Sequence, residues 1–153
     1  SLILRENDFN LITANANLLL EMLNKKRFDY FPRALHEPWL EIAGKTSLMV
    51  EQHLLLKYPA PMYFFVSKEN VRLHQRIEYG LSVLINSGEF EHFFHNHPVT
   101  KDMLLKAKIE KRKVFELTNP LLSEESKKLL SDSRLWLETP KNSVQAGINK
   151  LLN

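Results

Sequence analysis

A chain of 153 residues is long enough to form one domain with its own hydrophobic core. Hydrophobic residues make up 44% and charged residues 25%, the composition of an ordinary globular domain. The absence of cysteine excludes disulfides and thiolate chemistry, and four glycines are too few to suggest a phosphate-cradling loop.

The net charge of +3 arises partly from one basic cluster, formed by Lys106, Lys108, Lys111, Arg112 and Lys113. A nucleic-acid-binding cluster would alternate with aromatic residues or lie on a known motif, and this one does neither. We therefore interpret the cluster as a solvent-exposed face and expect no nucleic-acid partner.

The first part of the chain is typical of an α/β unit. Apolar residues at spacings of three and four predict a helix over residues 9–25, and the aromatic residues 28–31 follow as a predicted strand. Residues 39–42 form a predicted helical turn. Residues 51–58 and 62–66 are predicted strands around a rigid proline-rich connector, and the continuous apolar character of the second predicts that both its faces are covered.

The rest of the chain is predicted to be mostly helical. A long helix runs from Asn70, a good N-cap, to the stop at Gly88. A second helix, 89–97, places Phe90, Phe93 and Phe94 so that they pack against it. Further predicted elements are a helix at 100–111, a strand at 114–117, a helix that begins at Ser123 and a terminal helix at 142–152.

Three segments occur in an order and spacing that resemble a known family: residues 26–33, 58–68 and 73–90, with a looser match at 117–121. Together they resemble the second half of a type 2 periplasmic solute-binding protein, and more narrowly the extracellular solute-binding family 3. The resemblance covers roughly residues 9–97. It implies an α/β fold, in which a central β-sheet flanked by helices forms the second lobe, followed by C-terminal helices.

In that family two lobes close on a small solute. The resemblance implies that residues 1–97 form the second-lobe α/β unit and that 98–153 form a helical extension packed on the same domain. It also implies that residues 28–31 and 62–66 lie side by side in one sheet. The chain would be the C-terminal part of a longer periplasmic protein, and a homo-oligomer could complete the missing lobe.

The candidate ligand-binding residues are Arg33, Glu37, Asp29, His36 and Tyr30. Arg33 follows the predicted aromatic strand and could hold a carboxylate or phosphate through its guanidinium fork; the alternative is a surface arginine paired with Glu37 or Glu41. For Glu37 we favour the orientation of Arg33 over contact with a ligand amine.

The neighbouring candidates have structural alternatives. Asp29 is more often a turn residue that accepts bonds from backbone amides than a ligand contact. Tyr30, like Trp39, could stack on a ligand, although core packing is favoured for both. Family members that bind amino acids usually carry a second acidic residue where this chain has Ala34, which argues against an amino-acid ligand and for a small polar or anionic solute.

Catalysis is not indicated. His92, His95 and His97 lack a convincing fourth ligand, and His97-Pro98 breaks the helix, so no metal site is expected. There is no nucleophile motif, and we expect no enzyme activity and no cofactor. The predicted function is non-catalytic solute binding, as in an ABC-transporter substrate-binding protein that meets a membrane permease. The alternative is an extracytoplasmic sensory or interaction domain with the same fold.

Overall fold

The computed structural model describes residues 2–140 and the backbone of residues 144–145. It is a mixed α/β structure. The helices of the described residues are α1 (Leu2–Glu6), α2 (Ala16–Asn24), α3 (Pro38–Glu41), α4 (Val71–Ser87), α5 (Glu89–Asn96), α6 (Pro98–Ala107) and α7 (Glu124–Lys128). The strands are β1 (Leu54–Lys57), β2 (Lys113–Glu116) and β3 (Val144–Gln145), and 3-10 turns occur at Ile109–Lys111, Leu129–Ser131 and Ser133–Leu135.

The chain forms two compact units. The first contains Ser1–Tyr58, Met103–Leu121 and Thr139–Asn153, and the second contains Pro59–Asp102 and Leu122–Glu138. Each unit contains residues from before and after residue 97. The predicted division into 1–97 and 98–153 stays a prediction.

The first unit is built on a small parallel sheet in the order β1-β2-β3. Leu55 pairs with Val114 and Leu56 with Phe115 in the register of β1 and β2. These two strands confirm the strands predicted within 51–58 and at 114–117. Val114 and Phe115 of β2 belong to the buried apolar core, together with Leu4, Met103, Ala107, Ile109 and Leu117, whereas β1 is half-buried.

A buried arginine connects the elements of the first unit. Only 5% of Arg112 is exposed, and its guanidinium donates to the carbonyl oxygens of Ala107 (2.6 Å), Glu51 (2.7 Å) and Leu54 (2.9 Å). Those carbonyls belong to the end of α6, the segment before β1 and β1 itself. The interpretation of the basic cluster as a solvated face is therefore wrong for Arg112, although the four lysines are exposed.

Glu51 reinforces the same corner of the sheet. Its carboxylate accepts from the backbone amides of His53 and Leu54, each at 2.7 Å, and lies 3.8 Å from Arg112 Nη1. Burial raises the pKa of Glu51, but these amides and the nearby His53 and Arg112 together lower it below the ordinary value of a glutamate. Since the folded-state pKa is depressed, the ionised Glu51 contributes stability above that value, and the contribution is lost as the pH falls through the folded pKa.

The helices of the second unit follow their predicted boundaries. The Asn70 side chain accepts from the Leu73 amide (3.1 Å) at the start of α4, and Gly88 ends the helix with a left-handed φ of 80°. Helix α5 begins immediately afterwards. The apolar residues Leu73, Leu84 and Phe93 nevertheless remain substantially exposed, so the predicted core packing of the α5 phenylalanines against α4 is at most partial.

Two predicted strands are wrong. Residues 28–31 contain bends and no strand, and residues 62–66 have no regular secondary structure. The two segments therefore do not share a sheet, contrary to what the resemblance implied. A strand requires a hydrogen-bonded neighbour, and neither segment has one among the described residues. The prediction that 62–66 is covered on both faces is also wrong, because most of its side chains are exposed.

Helix boundaries differ from prediction where a local cap intervenes. The helix predicted for 9–25 begins at Ala16, because Asn15 adopts a non-helical conformation and its side chain accepts from the Asn17 amide. The helix predicted for 100–111 is divided by Lys108, whose φ is 48°. The predicted terminal helix lies mostly outside the described residues, and the part that is described belongs to β3.

Replacing Arg112 with methionine should destabilise the first unit. Arg112→Met keeps an unbranched side chain but leaves three carbonyl oxygens without their donor, and we expect the free energy of unfolding to fall by at least about 2 kcal/mol. Chemical denaturation, followed through the amide exchange of β1 and β2, measures the loss. Lys111→Met, at the exposed neighbour, is the control and should change stability by less than about 0.5 kcal/mol. Equal effects would contradict the role given to Arg112.

Gly80 inside α4 and Gly88, which ends it, should respond in opposite ways to alanine. Gly88 has a positive φ, so Gly88→Ala should cost about 1–2 kcal/mol. Gly80 lies in the interior of α4 with open space around its Cβ position, so Gly80→Ala should stabilise the helix by up to about 1 kcal/mol. Thermal unfolding monitored by circular dichroism compares the two; a loss at Gly80 or a gain at Gly88 would contradict the assigned helix end.

Candidate functional site

The candidate site is centred on Arg33, which lies between two carboxylates. Arg33 Nε donates to Glu41 Oε2 at 2.8 Å, and Nη2 donates to the other oxygen of the same carboxylate. Nη2 also lies 3.0 Å from Glu37 Oε1. We call these three residues the Arg33 cluster. The sequence alternative, a pairing of Arg33 with Glu37 or Glu41, is confirmed for both partners.

Local hydrogen bonds hold the backbone around the cluster. Glu37 Oε2 accepts from the Ala34 amide at 2.7 Å, and the Glu37 amide donates back to the Ala34 carbonyl at 3.0 Å. Pro38 then starts α3, where its fixed φ suits the first helical turn. The indole of Trp39 donates to the Leu35 carbonyl at 2.7 Å. The loop thus brings Glu41 next to Arg33 although eight positions separate them.

The cluster is partly shielded and carries more negative than positive charge. The exposed fractions of the Arg33, Glu37 and Glu41 side chains are 30%, 29% and 28%. The hydrogen bond to Glu41 is the main cause that raises the pKa of Arg33; burial opposes it, and the charges of Glu37 and Glu41 add to it. Arg33 is therefore fully cationic, and its fork is already occupied by Glu41. An anionic ligand would have to replace that carboxylate.

Aromatic side chains border one side of the cluster. The Arg33 guanidinium carbon lies 5.2 Å from the centre of the Phe31 ring, within cation–π range. Phe28 meets Phe31 edge to face at 6.4 Å. The segment predicted as a strand therefore supplies an aromatic support for Arg33 instead. Sequence analysis did not assign this role to Phe31, although the position of an arginine two residues after a phenylalanine was visible.

The other predicted site residues do not join the cluster through a described contact. Asp29 and His36 are exposed and make no hydrogen bond or ion pair with any described residue, so the turn-stabilising role favoured for Asp29 is wrong. Tyr30 is 59% exposed, which contradicts core packing for it. Trp39 is half-buried. Ligand contact by these residues stays a prediction.

The histidines of α5 make ring contacts with neighbouring phenylalanines. Phe93 lies 5.0 Å from His97, and Phe94 meets His95 at 5.5 Å with perpendicular planes. In the part of the chain that the structure describes, no three histidine, aspartate or glutamate side chains are grouped so that they could hold a metal ion. Nor does any described helix have the length and apolarity needed to cross a membrane.

No protein-family model, curated protein or solved structure matches this chain.

The ion pair between Arg33 and Glu41 should be measurable by a double-mutant cycle. Arg33→Met, Glu41→Gln and the double variant should give a coupling energy of about 0.5–1 kcal/mol, because the pair is bidentate but still partly solvated. Concentrated salt should reduce it. The control cycle uses Lys25 and Glu21, whose side chains are twice as exposed and singly bonded, and whose coupling should be smaller. A coupling no larger than in the control would argue against a preformed cluster.

Proposed function

We propose that this chain is a lobe of a non-catalytic solute-binding protein, similar to the second lobe of type 2 periplasmic solute-binding proteins, and that it binds a small polar or anionic solute at Arg33. Three observations support the proposal. The order and spacing of residues 26–33, 58–68 and 73–90 resemble that family in sequence, although residues 28–31 and 62–66 do not form the shared sheet that the resemblance implied. The fold is mixed α/β, as in that family. The Arg33 cluster then supplies a guanidinium fork of the kind that recognises carboxylates.

The observation that carries the proposal is the way Arg33 is presented. Its guanidinium is flanked by Phe31, held between two carboxylates and still about 30% exposed. A solute carboxylate can replace Glu41 with the same two-point geometry, so the ion-pair partner is exchanged and the cation is never left unpaired. Glu37 remains bonded to the Ala34 amide and keeps the loop in place during this exchange.

Because of this exchange, we expect the chain alone to bind the solute weakly. The solute has to compete with Glu41, which is at a high effective concentration beside Arg33. In a two-lobed binder the other lobe contributes additional contacts that favour the closed, solute-bound state. The same proposal places the protein in the periplasm, where it would deliver its solute to a membrane permease.

The proposal can be tested by NMR titration of the 153-residue chain. Succinate, glutamate, inorganic phosphate and putrescine are added separately at millimolar concentration, and the Nε–H signal of Arg33 is followed together with the backbone amides of residues 31–41. We expect a saturable shift with at least one of the anions and none with putrescine. Arg33→Ala should abolish the shifts of the backbone amides.

Two variants make the test specific. Arg134 forms a similar two-point pair with Asp132 (2.8 and 2.7 Å), so Arg134→Ala is the matched control and should leave binding unchanged. Glu41→Gln weakens the competitor and should tighten anion binding about fivefold, the equivalent of about 1 kcal/mol. No saturable shift with any anion in the Glu41→Gln variant would refute a solute site at Arg33.

A further inference from the structure

The most unusual surface of the second unit is the segment Met62-Tyr63-Phe64-Phe65-Val66, called here the 62–66 segment. The exposed fractions of its first four residues are 96%, 54%, 73% and 92%. Four large apolar side chains in succession are seldom left in water, since isolated exposed hydrophobic residues are common but contiguous patches mark interaction sites.

The backbone of the 62–66 segment is equally unpartnered. Residues 58–67 contain no helix, strand, turn or bend, and no backbone–backbone hydrogen bond joins 62–66 to any described residue. Among the described residues, the segment's one side-chain hydrogen bond joins the Tyr63 hydroxyl to the Ser126 hydroxyl. The segment therefore presents free amide and carbonyl groups together with apolar side chains, which are the two requirements for pairing with another β-strand.

The sequence of the segment suits a pairing with itself. Its residues have high β-propensity and no charge. In an antiparallel pair centred on Phe64, Met62 would face Val66 and Tyr63 would face Phe65, so every cross-strand pair is apolar or aromatic. The two prolines before the segment and the turn that starts after Ser67 limit the pair to about five residues.

We propose that the 62–66 segment is a homodimerisation strand, which pairs antiparallel with the same segment of a second copy of this chain. The arrangement is isologous and closed, as expected for a two-fold dimer. This inference does not depend on the solute proposed for Arg33, because the segment belongs to a different compact unit.

The exposed area of the segment sets an upper limit on what such a dimer could bury. With aromatic side chains of roughly 150–250 Å² each, the exposed fractions correspond to about 600 Å² of surface per copy. Two copies together present on the order of 1,200 Å², which reaches the lower end of specific protein–protein interfaces. Edge-to-edge pairing covers only part of this surface, so the interface reaches that size only if the exposed side chains also pack against the partner copy, while the backbone hydrogen bonds fix its register.

The first test is the oligomeric state of the full 153-residue chain by analytical ultracentrifugation. We expect a dimer of twice the chain mass for the unchanged protein and a monomer for Phe64→Lys, because the two lysines would meet at the symmetry axis. Phe64→Glu should also be monomeric, and an equimolar mixture of the two variants should restore the dimer. Met49→Lys, at a residue that is 82% exposed outside the segment, is the charge-matched control and should stay dimeric.

The second test uses the absence of cysteine from the chain. Phe64→Cys places two thiols opposite each other across the axis, where antiparallel strands bring side chains within disulfide distance. Oxidation should give a covalent dimer, and Met49→Cys should not. A monomeric unchanged protein, a Phe64→Lys variant that remains dimeric, or sedimenting fibrils in place of a closed dimer would each overturn the proposal.

Discussion

The buried guanidinium of Arg112 is the interaction on which the first unit depends. It donates to three backbone carbonyls that precede or belong to β1 and α6, while Arg112 itself directly precedes β2. A four-residue parallel strand pair has few hydrogen bonds of its own, and parallel pairing is slightly weaker than antiparallel pairing. The charged donor therefore adds cross-links between segments that are about 60 positions apart in the sequence, and the Glu51 carboxylate partly balances its charge.

The second unit depends on different forces. Its long helix is defined by local devices, the Asn70 side chain at one end and the left-handed Gly88 at the other. Among its described residues, only Ser126 is buried, and several large apolar side chains remain in contact with water. Local capping stabilises a helix by about 1 kcal/mol at each end, whereas burial of apolar area contributes most of the stability of a domain. The exposed 62–66 segment of such a unit would bury apolar area on pairing with the partner proposed above.

In the solute site proposed at Arg33, the ligand and the internal carboxylates would compete for the same guanidinium. Glu41 occupies both donor positions of the guanidinium fork and Glu37 shares one of them, so the site is satisfied before any solute arrives. This arrangement avoids a partly buried unpaired cation, and it requires any anion to compete with an internal carboxylate. Affinity at such a site is set by the difference between two ion pairs, so selectivity depends on the geometry of the solute more than on its charge.

The sequence by itself determined the elements whose signals are local. The caps of α4 and α7, the end of α4 at Gly88 and the apolar strands β1 and β2 could be read from neighbouring residues, as could the pairing of Arg33 with nearby glutamates. Only the tertiary structure decided that Arg112 is buried while adjacent lysines are exposed, and that residues 28–31 and 62–66 are not strands of this chain. Burial and strand pairing depend on distant partners, and a local pattern records the capacity to pair but not whether a partner is present.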